Sequence, residues 1–214
     1  MKKAIIFDLD GTLLDTLTDI MESVNNILSR YNFPTHTKHE YQYFLGNGIE
    51  ALTKKAFPKN ISTQEFNNYF QEVKQEYHSR QTLKTKPFEG ITEMLRIFNK
   101  QGVKIAILSN KPDEFTKPTV AHFFENIKFE IVLGSRKNVA RKPSPEAVLE
   151  ILEALNVTAE ECYFVGDSET DMQTGVNAGI EAIGVSWGFR TVKEMMDNGA
   201  SRIIDEPEEL LGII

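Results

Sequence analysis

The chain has 214 residues, 41% of them apolar, so it is long enough to bury a substantial core. Its 24 basic and 31 acidic residues give a net charge of −7, which argues against binding to nucleic acid through a broad basic surface. The single cysteine, Cys162, excludes an internal disulfide and suits a reducing compartment. No stretch approaches the ~20 apolar residues that span a bilayer. These features together predict a cytoplasmic protein without a membrane segment.

The first predicted element is a short strand, residues 4–7, whose apolar side chains lead directly into Asp8, Asp10 and the turn residue Gly11. A continuous apolar run this short fits a strand that is buried on both faces of a parallel sheet. Because side chains alternate along a strand, Asp8 and Asp10 are expected to leave its end on the same side. The carboxyl ends of strands are where open α/β sheets bind ligands, so this is the first candidate site. The two acids also interrupt the apolar run too early for a secretory signal.

A helical stretch without strand patterns follows, and we predict that residues 15–81 form a four-helix cap domain. Apolar residues at helical spacing predict the first helix, with Pro34 expected to end it. Capping-box patterns predict the starts of the second and fourth helices. The apolar spacing of the first helix runs over Ile20–Tyr31, and the two capping boxes are Thr37–Glu40 and Ser62–Glu65. Gly46-Asn47-Gly48 separates the second helix from the third.

From Pro87 onward the pattern alternates between helices and strands. We therefore predict an α/β fold, a doubly wound parallel sheet with a Rossmann-like core formed by residues 1–14 and 82–214. Two chain crossings join this core to the cap, and a hinged cap can act as a lid. The predicted strands after the cap are residues 103–108, 130–133, 161–165, 182–186 and 203–204, and Thr191-Val192-Lys193-Glu194 is a further predicted capping box.

Polar side chains follow three of the predicted strands. The first strand leads to Asp8 and Asp10, a second to Ser109, Asn110 and Lys111, and a third to Asp167, with Asp171 four residues later. Lys142 lies in a loop before a helix that opens at Ser144. In a doubly wound sheet these strand ends converge on one crevice.

Such a set of residues is suited to phosphoryl chemistry. Crowded carboxylates repel one another unless a cation neutralises them, and an all-oxygen site favours Mg²⁺. Lys142, Ser109 and Asn110 offer donors for phosphate oxygens. One carboxylate could attack phosphorus to form an aspartyl phosphate, while a second transfers protons.

The motifs Asp8-Leu9-Asp10-Gly11-Thr12, Ser109-Asn110, Lys142 and Gly166-Asp167-Ser168-Glu169-Thr170-Asp171 resemble, in this order, the four motifs of the haloacid dehalogenase superfamily. The resemblance covers nearly the whole chain, and it implies Asp8 as nucleophile and Asp10 as general acid and base. It further implies Ser109 and Lys142 as phosphate-binding residues. The implied Mg²⁺ ligands are Asp8, the backbone carbonyl of Asp10, and Asp167, with Asp171 supporting Lys142 or metal-bound water.

Within that superfamily the chain looks most like the phosphoglycolate phosphatases. Gly46-Asn47-Gly48 resembles their cap substrate loop, which implies a small phosphorylated metabolite as the substrate. One departure is Gln42, near the position where many of these enzymes have an arginine shortly before the loop. The absence of this arginine weakens the case for a substrate that carries a carboxylate.

Several alternatives remain open at this stage. The same core could serve a pyrophosphatase, a phosphonatase or a sugar-phosphate mutase, and a phosphorylation-switched receiver is the non-enzyme alternative. Asp167 could simply cap a helix, and Gly46-Asn47-Gly48 could be an ordinary turn. Lys111 is interpreted as a solvated loop residue. The expected oligomeric state is a monomer or a homodimer, with no nucleic acid or membrane as a partner.

Overall fold

The structure of the protein is a computed structural model that describes residues 2–214, and it divides into two compact units. The core unit comprises the chain up to Asp15 together with Pro87–Ile214, and the helical unit comprises Thr16–Lys86. Asp15, which we assigned to the cap, therefore belongs to the core unit. Residues 82–86, which we assigned to the core, belong instead to the helical unit. The reason is the buried carboxylate of Asp19, which accepts hydrogen bonds from the backbone N–H groups of Lys84 and Thr85.

The core unit is built on a six-stranded sheet with the order β5-β4-β1-β6-β7-β8, in which every neighbouring pair is parallel. The chain proceeds outward from β1 in both directions, so the predicted doubly wound α/β sheet is confirmed. Two further short strands, β2 and β3, pair with each other. The strands are β1 (Ala4–Phe7), β2 (Leu14–Asp15), β3 (Lys86–Pro87), β4 (Lys104–Pro112), β5 (Ile131–Ser135), β6 (Cys162–Gly166), β7 (Glu181–Val185) and β8 (Arg202–Ile204).

Strand β1 lies at the centre of this sheet and is covered on both faces. Ile5 and Phe7 belong to one apolar cluster, whereas Ala4 and Ile6 belong to the other, and all four residues are buried. In the register of the sheet, Phe7 lies beside Ile107 of β4 and Val165 of β6. The residues that follow these three strands therefore emerge side by side at one edge.

The helices follow the predicted pattern closely. The capping boxes at Thr37, Ser62 and Thr191 are all present, with each side chain accepting a hydrogen bond from the third residue of its helix. The helical unit contains α1 (Leu17–Arg30), α2 (Lys38–Phe44), α3 (Gly48–Ala56) and α4 (Thr63–Arg80); the core unit contains α5 (Ile91–Gln101), α6 (Asp113–Phe123), α7 (Glu146–Leu155), α8 (Glu169–Ala178) and α9 (Val192–Asp197).

One predicted helix end is wrong. Helix α1 ends at Arg30 rather than at Pro34, because Asn32 has a positive φ of 56°, which does not continue a right-handed helix. Asparagine is among the few non-glycine residues that adopt this conformation readily. Among residues 2–214, no helix combines the length and the apolar character needed to cross a membrane.

Candidate active site

The centre of the site is a buried lysine between two aspartates. The ammonium of Lys142 donates to Oδ1 of Asp8 at 2.7 Å and to Oδ1 of Asp171 at 2.6 Å. Only 3% of the Lys142 side chain is exposed. Asp8 follows β1 directly, and its backbone N–H continues the sheet by donating to the carbonyl of Val165 at 2.9 Å. The three side chains therefore form an ion-paired cluster at the carboxyl edge of the sheet.

Further hydrogen bonds hold Lys142 and Asp171 in place. The Asn110 side chain pairs with the main chain of Lys142, donating to its carbonyl at 3.1 Å and accepting from its N–H at 3.0 Å. Asp171 lies in the first turn of α8, where its Oδ2 accepts from the N–H and hydroxyl of Ser168. Asn110, which we predicted to bind phosphate, thus positions the loop that carries Lys142.

Asp167 is fixed separately, at the end of β6. Its Oδ1 accepts the hydroxyl of Thr12 at 3.2 Å, and its Oδ2 accepts the N–H of Phe189 at 2.8 Å. Gly11 and Gly188 lie against its side chain, and a Cβ at either position would overlap it. Gly11 also has a φ of 95°, which L side chains rarely adopt. The two glycines therefore leave the space that Asp167 occupies.

The electrostatics of these groups reflect their burial. Burial raises the pKa of Asp8 well above its ordinary value; the attraction of Lys142 opposes this shift, and repulsion from Asp171 and Asp167 adds to it. Burial, followed by repulsion from Asp171, raises the pKa of Asp167 to about 7. Burial alone would lower the pKa of Lys142, but the attraction of Asp171 and Asp8 outweighs it and raises that pKa.

Asp10 is paired with a different lysine. The ammonium of Lys111 donates to Oδ1 of Asp10 at 2.6 Å, and only 4% of the Lys111 side chain is exposed. The interpretation of Lys111 as a solvated loop residue is therefore wrong. Strand β4 continues through Lys111 to Pro112, so the residue lies in the sheet and not in an exposed loop.

The hydroxyl of Ser109 lies at the same edge and is also buried. Its oxygen accepts the backbone N–H of Lys111 at 3.2 Å, which leaves the hydroxyl proton for donation to another group. The predicted cap loop is in the other unit: Asn47 precedes α3, and Gly46 and Gly48 both have positive φ. The structure thus brings together all the predicted site residues of the core unit.

The donor set fits a hard divalent cation. Asp8, Asp167 and Asp171 each offer an oxygen, and these oxygens lie within 4.8 Å of one another. Asp171 is held through both of its oxygens by Lys142 and Ser168, and Asp167 through both of its oxygens by Thr12 and Phe189. With Asp10 included, four carboxylates face two ammonium groups, an excess of two negative charges when all are ionised. A divalent cation would balance that excess.

Sequence reasoning missed several supporting residues. Ser168 forms a capping box with Asp171, and the spacing Ser168-x-x-Asp171 could have revealed it. Thr12 directly follows Gly11 in the first motif, yet the sequence did not indicate that its hydroxyl reaches Asp167. No sequence signal marks the contact of Phe189 with Asp167, because the two residues come from different loops.

Comparisons with known proteins cover most or nearly all of the chain. Residues 5–185 match the family model of the haloacid dehalogenase-like hydrolases. A protein named phosphoglycolate phosphatase from Pseudomonas putida strain KT2440 is 27% identical over 219 residues, which cover 99% of this chain and 79% of that protein.

Two solved structures extend the comparison to the fold. One, from Lactobacillus delbrueckii subsp. bulgaricus and provisionally named a phosphoglycolate phosphatase, has a TM-score of 0.90 and 32% identity. Their alignment covers 100% of this chain and 99% of the other. A haloacid dehalogenase-like protein from Bacteroides fragilis has a TM-score of 0.88 at 25% identity, over 98% and 100% of the two chains. These matches confirm the predicted resemblance to phosphatases of this type, and the chain belongs to the haloacid dehalogenase-like hydrolases.

Proposed function

We propose that the protein is a Mg²⁺-dependent phosphomonoester hydrolase that acts on a small metabolite of the phosphoglycolate type through an aspartyl-phosphate intermediate. The observation that carries this proposal is the ammonium of Lys142, which bridges the buried carboxylates of Asp8 and Asp171 at the edge of the sheet. A carboxylate held in this way can act as a nucleophile, and the adjacent cation stabilises the charge that develops on the phosphoryl group. The name phosphoglycolate phosphatase, which several relatives carry, supports the substrate class.

In the first half of the proposed reaction, a carboxylate oxygen of Asp8 forms a bond to phosphorus while the bond from phosphorus to the leaving alcohol breaks. Asp10 gives its proton to the departing oxygen. The hydroxyl of Ser109 donates a hydrogen bond to a phosphoryl oxygen, and the ammonium of Lys142 binds the phosphate. In the second half, Asp10 takes a proton from a water molecule that attacks phosphorus, and Asp8 is released.

Asp8, Asp167 and the backbone carbonyl of Asp10 would hold the Mg²⁺ ion, with Asp171 holding Lys142. When bound, the ion would neutralise negative charge on the phosphoryl oxygens and between the acids. Gly46, Asn47 and Gly48 remain the proposed substrate loop of the cap. Two further parts of the proposal are a cytoplasmic location and a monomer or homodimer.

Metal affinity should depend on pH. Asp167, whose pKa is raised to about 7, carries a proton at lower pH that a metal ion must displace. We therefore expect Mg²⁺ to bind more tightly as pH rises from 5.5 toward 7 and above, with about a tenfold change per pH unit for each proton displaced. Titration calorimetry on chelator-treated protein would measure this dependence. The variant Asp113→Asn, which alters an acid of lowered pKa, should keep the same slope. An affinity that is constant from pH 5.5 to 8.5 would contradict the prediction.

Phosphate release across a substrate panel tests the proposed function directly. The panel contains 2-phosphoglycolate, sugar phosphates, nucleotides, pyrophosphate and phosphonoacetaldehyde, each with Mg²⁺ and with EDTA. We expect release from phosphomonoesters that is highest with small substrates and is lost with EDTA. Hydrolysis of pyrophosphate or phosphonoacetaldehyde alone would favour the corresponding alternative, and equal release with EDTA would contradict metal dependence.

A further inference from the structure

The ion pair between Lys111 and Asp10 has no role in the reaction described so far. Nζ of Lys111 lies 2.6 Å from Oδ1 of Asp10, and the exposed fractions of the two side chains are 4% and 14%. The two residues are 101 positions apart in the chain. The assembled sheet, and not the local sequence, therefore brings this ammonium to the proposed general acid.

The main chain restricts where the Lys111 ammonium can lie. The N–H of Lys111 donates to Oγ of Ser109 at 3.2 Å, and its carbonyl accepts the hydroxyl of Thr116 at 3.0 Å. Lys111 belongs to β4, and α6 begins two residues later at Asp113. These bonds fix the main chain of Lys111, and because only 4% of its side chain is exposed, few of its rotamers fit the surrounding atoms. Its ammonium is thus a fixed feature of the site.

The pair makes the two oxygens of Asp10 unequal. Oδ1 accepts a short, charge-assisted hydrogen bond from Lys111. Among residues 2–214, no other hydrogen bond to the Asp10 carboxylate is present. Oδ2 is therefore the oxygen of Asp10 that is available to a substrate or a water molecule.

On the basis of the proposed phosphatase reaction, we propose that Lys111 is a positioning residue, which holds Oδ1 of Asp10 and so makes Oδ2 the proton-transferring oxygen. During phosphoryl transfer to Asp8, the proton on Oδ2 passes to the leaving oxygen as its bond to phosphorus breaks. During hydrolysis, Oδ2 takes a proton from the attacking water, whose oxygen bonds to phosphorus as the bond from Asp8 to phosphorus breaks. The proton that Oδ2 gives up in the first step is therefore regained in the second.

The test compares substrates that differ in their need for a proton. Ethyl phosphate and 2-phosphoglycolate release alkoxides, which need protonation, whereas p-nitrophenyl phosphate releases a stable anion. The ratio kcat/KM reports on the steps up to departure of the leaving group, so slow hydrolysis of the intermediate does not obscure it. For Lys111→Met we expect kcat/KM to fall roughly 10- to 100-fold with both alkyl phosphates and less than about threefold with p-nitrophenyl phosphate.

Two further variants sharpen the comparison. In an Asp10→Asn background, Lys111→Met should have little additional effect on the alkyl phosphates, because the group that it positions is already inactive. Lys117→Met, which removes an exposed lysine paired with Asp113, is the matched control and should leave all three substrates unchanged. If Lys111→Met does not fold, as judged by circular dichroism, Lys111→Gln is measured in its place, with the same pattern expected.

The possible outcomes separate the explanations. An equal loss with all three substrates would indicate general structural damage and would overturn the proposal. A loss with 2-phosphoglycolate alone would assign Lys111 to the substrate carboxylate and would also overturn it. If the wild-type protein turns over none of the three with Mg²⁺, the proposed function itself fails, and the role of Lys111 fails with it.

Discussion

Replacing Asp8 with asparagine is expected to lower kcat by about 10⁴-fold or more, because the amide cannot form the covalent intermediate. The fold should persist, since the asparagine oxygen can still accept the hydrogen bond from Lys142. Burial and the neighbouring acids raise the pKa of Asp8, so the variant removes an unfavourable charge. We therefore expect the metal-free Asp8→Asn protein to be at least as stable as the wild type.

Phosphate release and thermal unfolding, measured on the same samples, test this pair of opposite effects. Asp113→Asn is the control for activity, because Asp113 is an acid of the core unit that pairs with Lys117 and is not among the proposed site residues. Mass spectrometry after rapid quenching should detect a phosphorylated wild-type protein and no phosphorylation of the variant. Activity of Asp8→Asn within tenfold of the wild type would contradict the role of Asp8 as nucleophile.

Replacing Lys142 with methionine is expected to reduce both activity and stability. The change leaves Asp8 and Asp171 buried without their shared cation, and breaking a buried pair in this way typically costs about 3–5 kcal/mol of unfolding free energy. The loss of unfolding free energy should be smaller at acid pH. Burial already raises the pKa of Asp8, and loss of the attraction of Lys142 raises it further. The folded protein then binds this proton more tightly than the unfolded chain does, so its stability falls as pH rises from about 4.

Denaturant unfolding of Lys142→Met at pH 5 and pH 7.5 would measure this difference. The double variant Lys142→Met/Asp171→Asn should recover part of the lost stability, because it removes one of the two uncompensated charges, but it should not recover activity. Lys117→Met, which breaks an exposed pair, should change the unfolding free energy by less than about 1 kcal/mol. A Lys142→Met protein as stable as the wild type at pH 7.5 would show that the cluster does not carry the predicted charge.

Elements defined by local sequence were predictable. The capping boxes at Thr37, Ser62 and Thr191 mark helix starts through residues only three positions apart, and all three are present. The apolar run of β1 likewise predicted a strand covered on both faces. Because parallel strands present their carboxyl ends at one edge, the sequence also predicted that Asp8, Ser109 and Asp167 come together.

Details that depend on distant partners were not predictable. The burial of Lys111 follows from Asp10, and the position of residues 82–86 follows from Asp19, 65 residues before Lys84. The amide of Asn110, which we predicted to bind phosphate, pairs with the main chain of Lys142, 32 residues later, and the sequence does not indicate this contact. Periodicity gives the face of a helix or strand that is buried, but it does not give the partner of a polar side chain.

The cluster around Lys142 also bears on how the protein folds. Its contacts join residues 134 positions apart, between Lys142 and Asp8, and 155 positions apart, between Thr12 and Asp167. Contacts this far apart in sequence form late, because the intervening chain must first lose its loop entropy. A lysine ammonium is also costly to bury before its carboxylates are in place. We therefore expect the site to assemble only after β1 lies between β4 and β6, so that a partly folded chain has neither the proposed nucleophile Asp8 nor Lys142 in position.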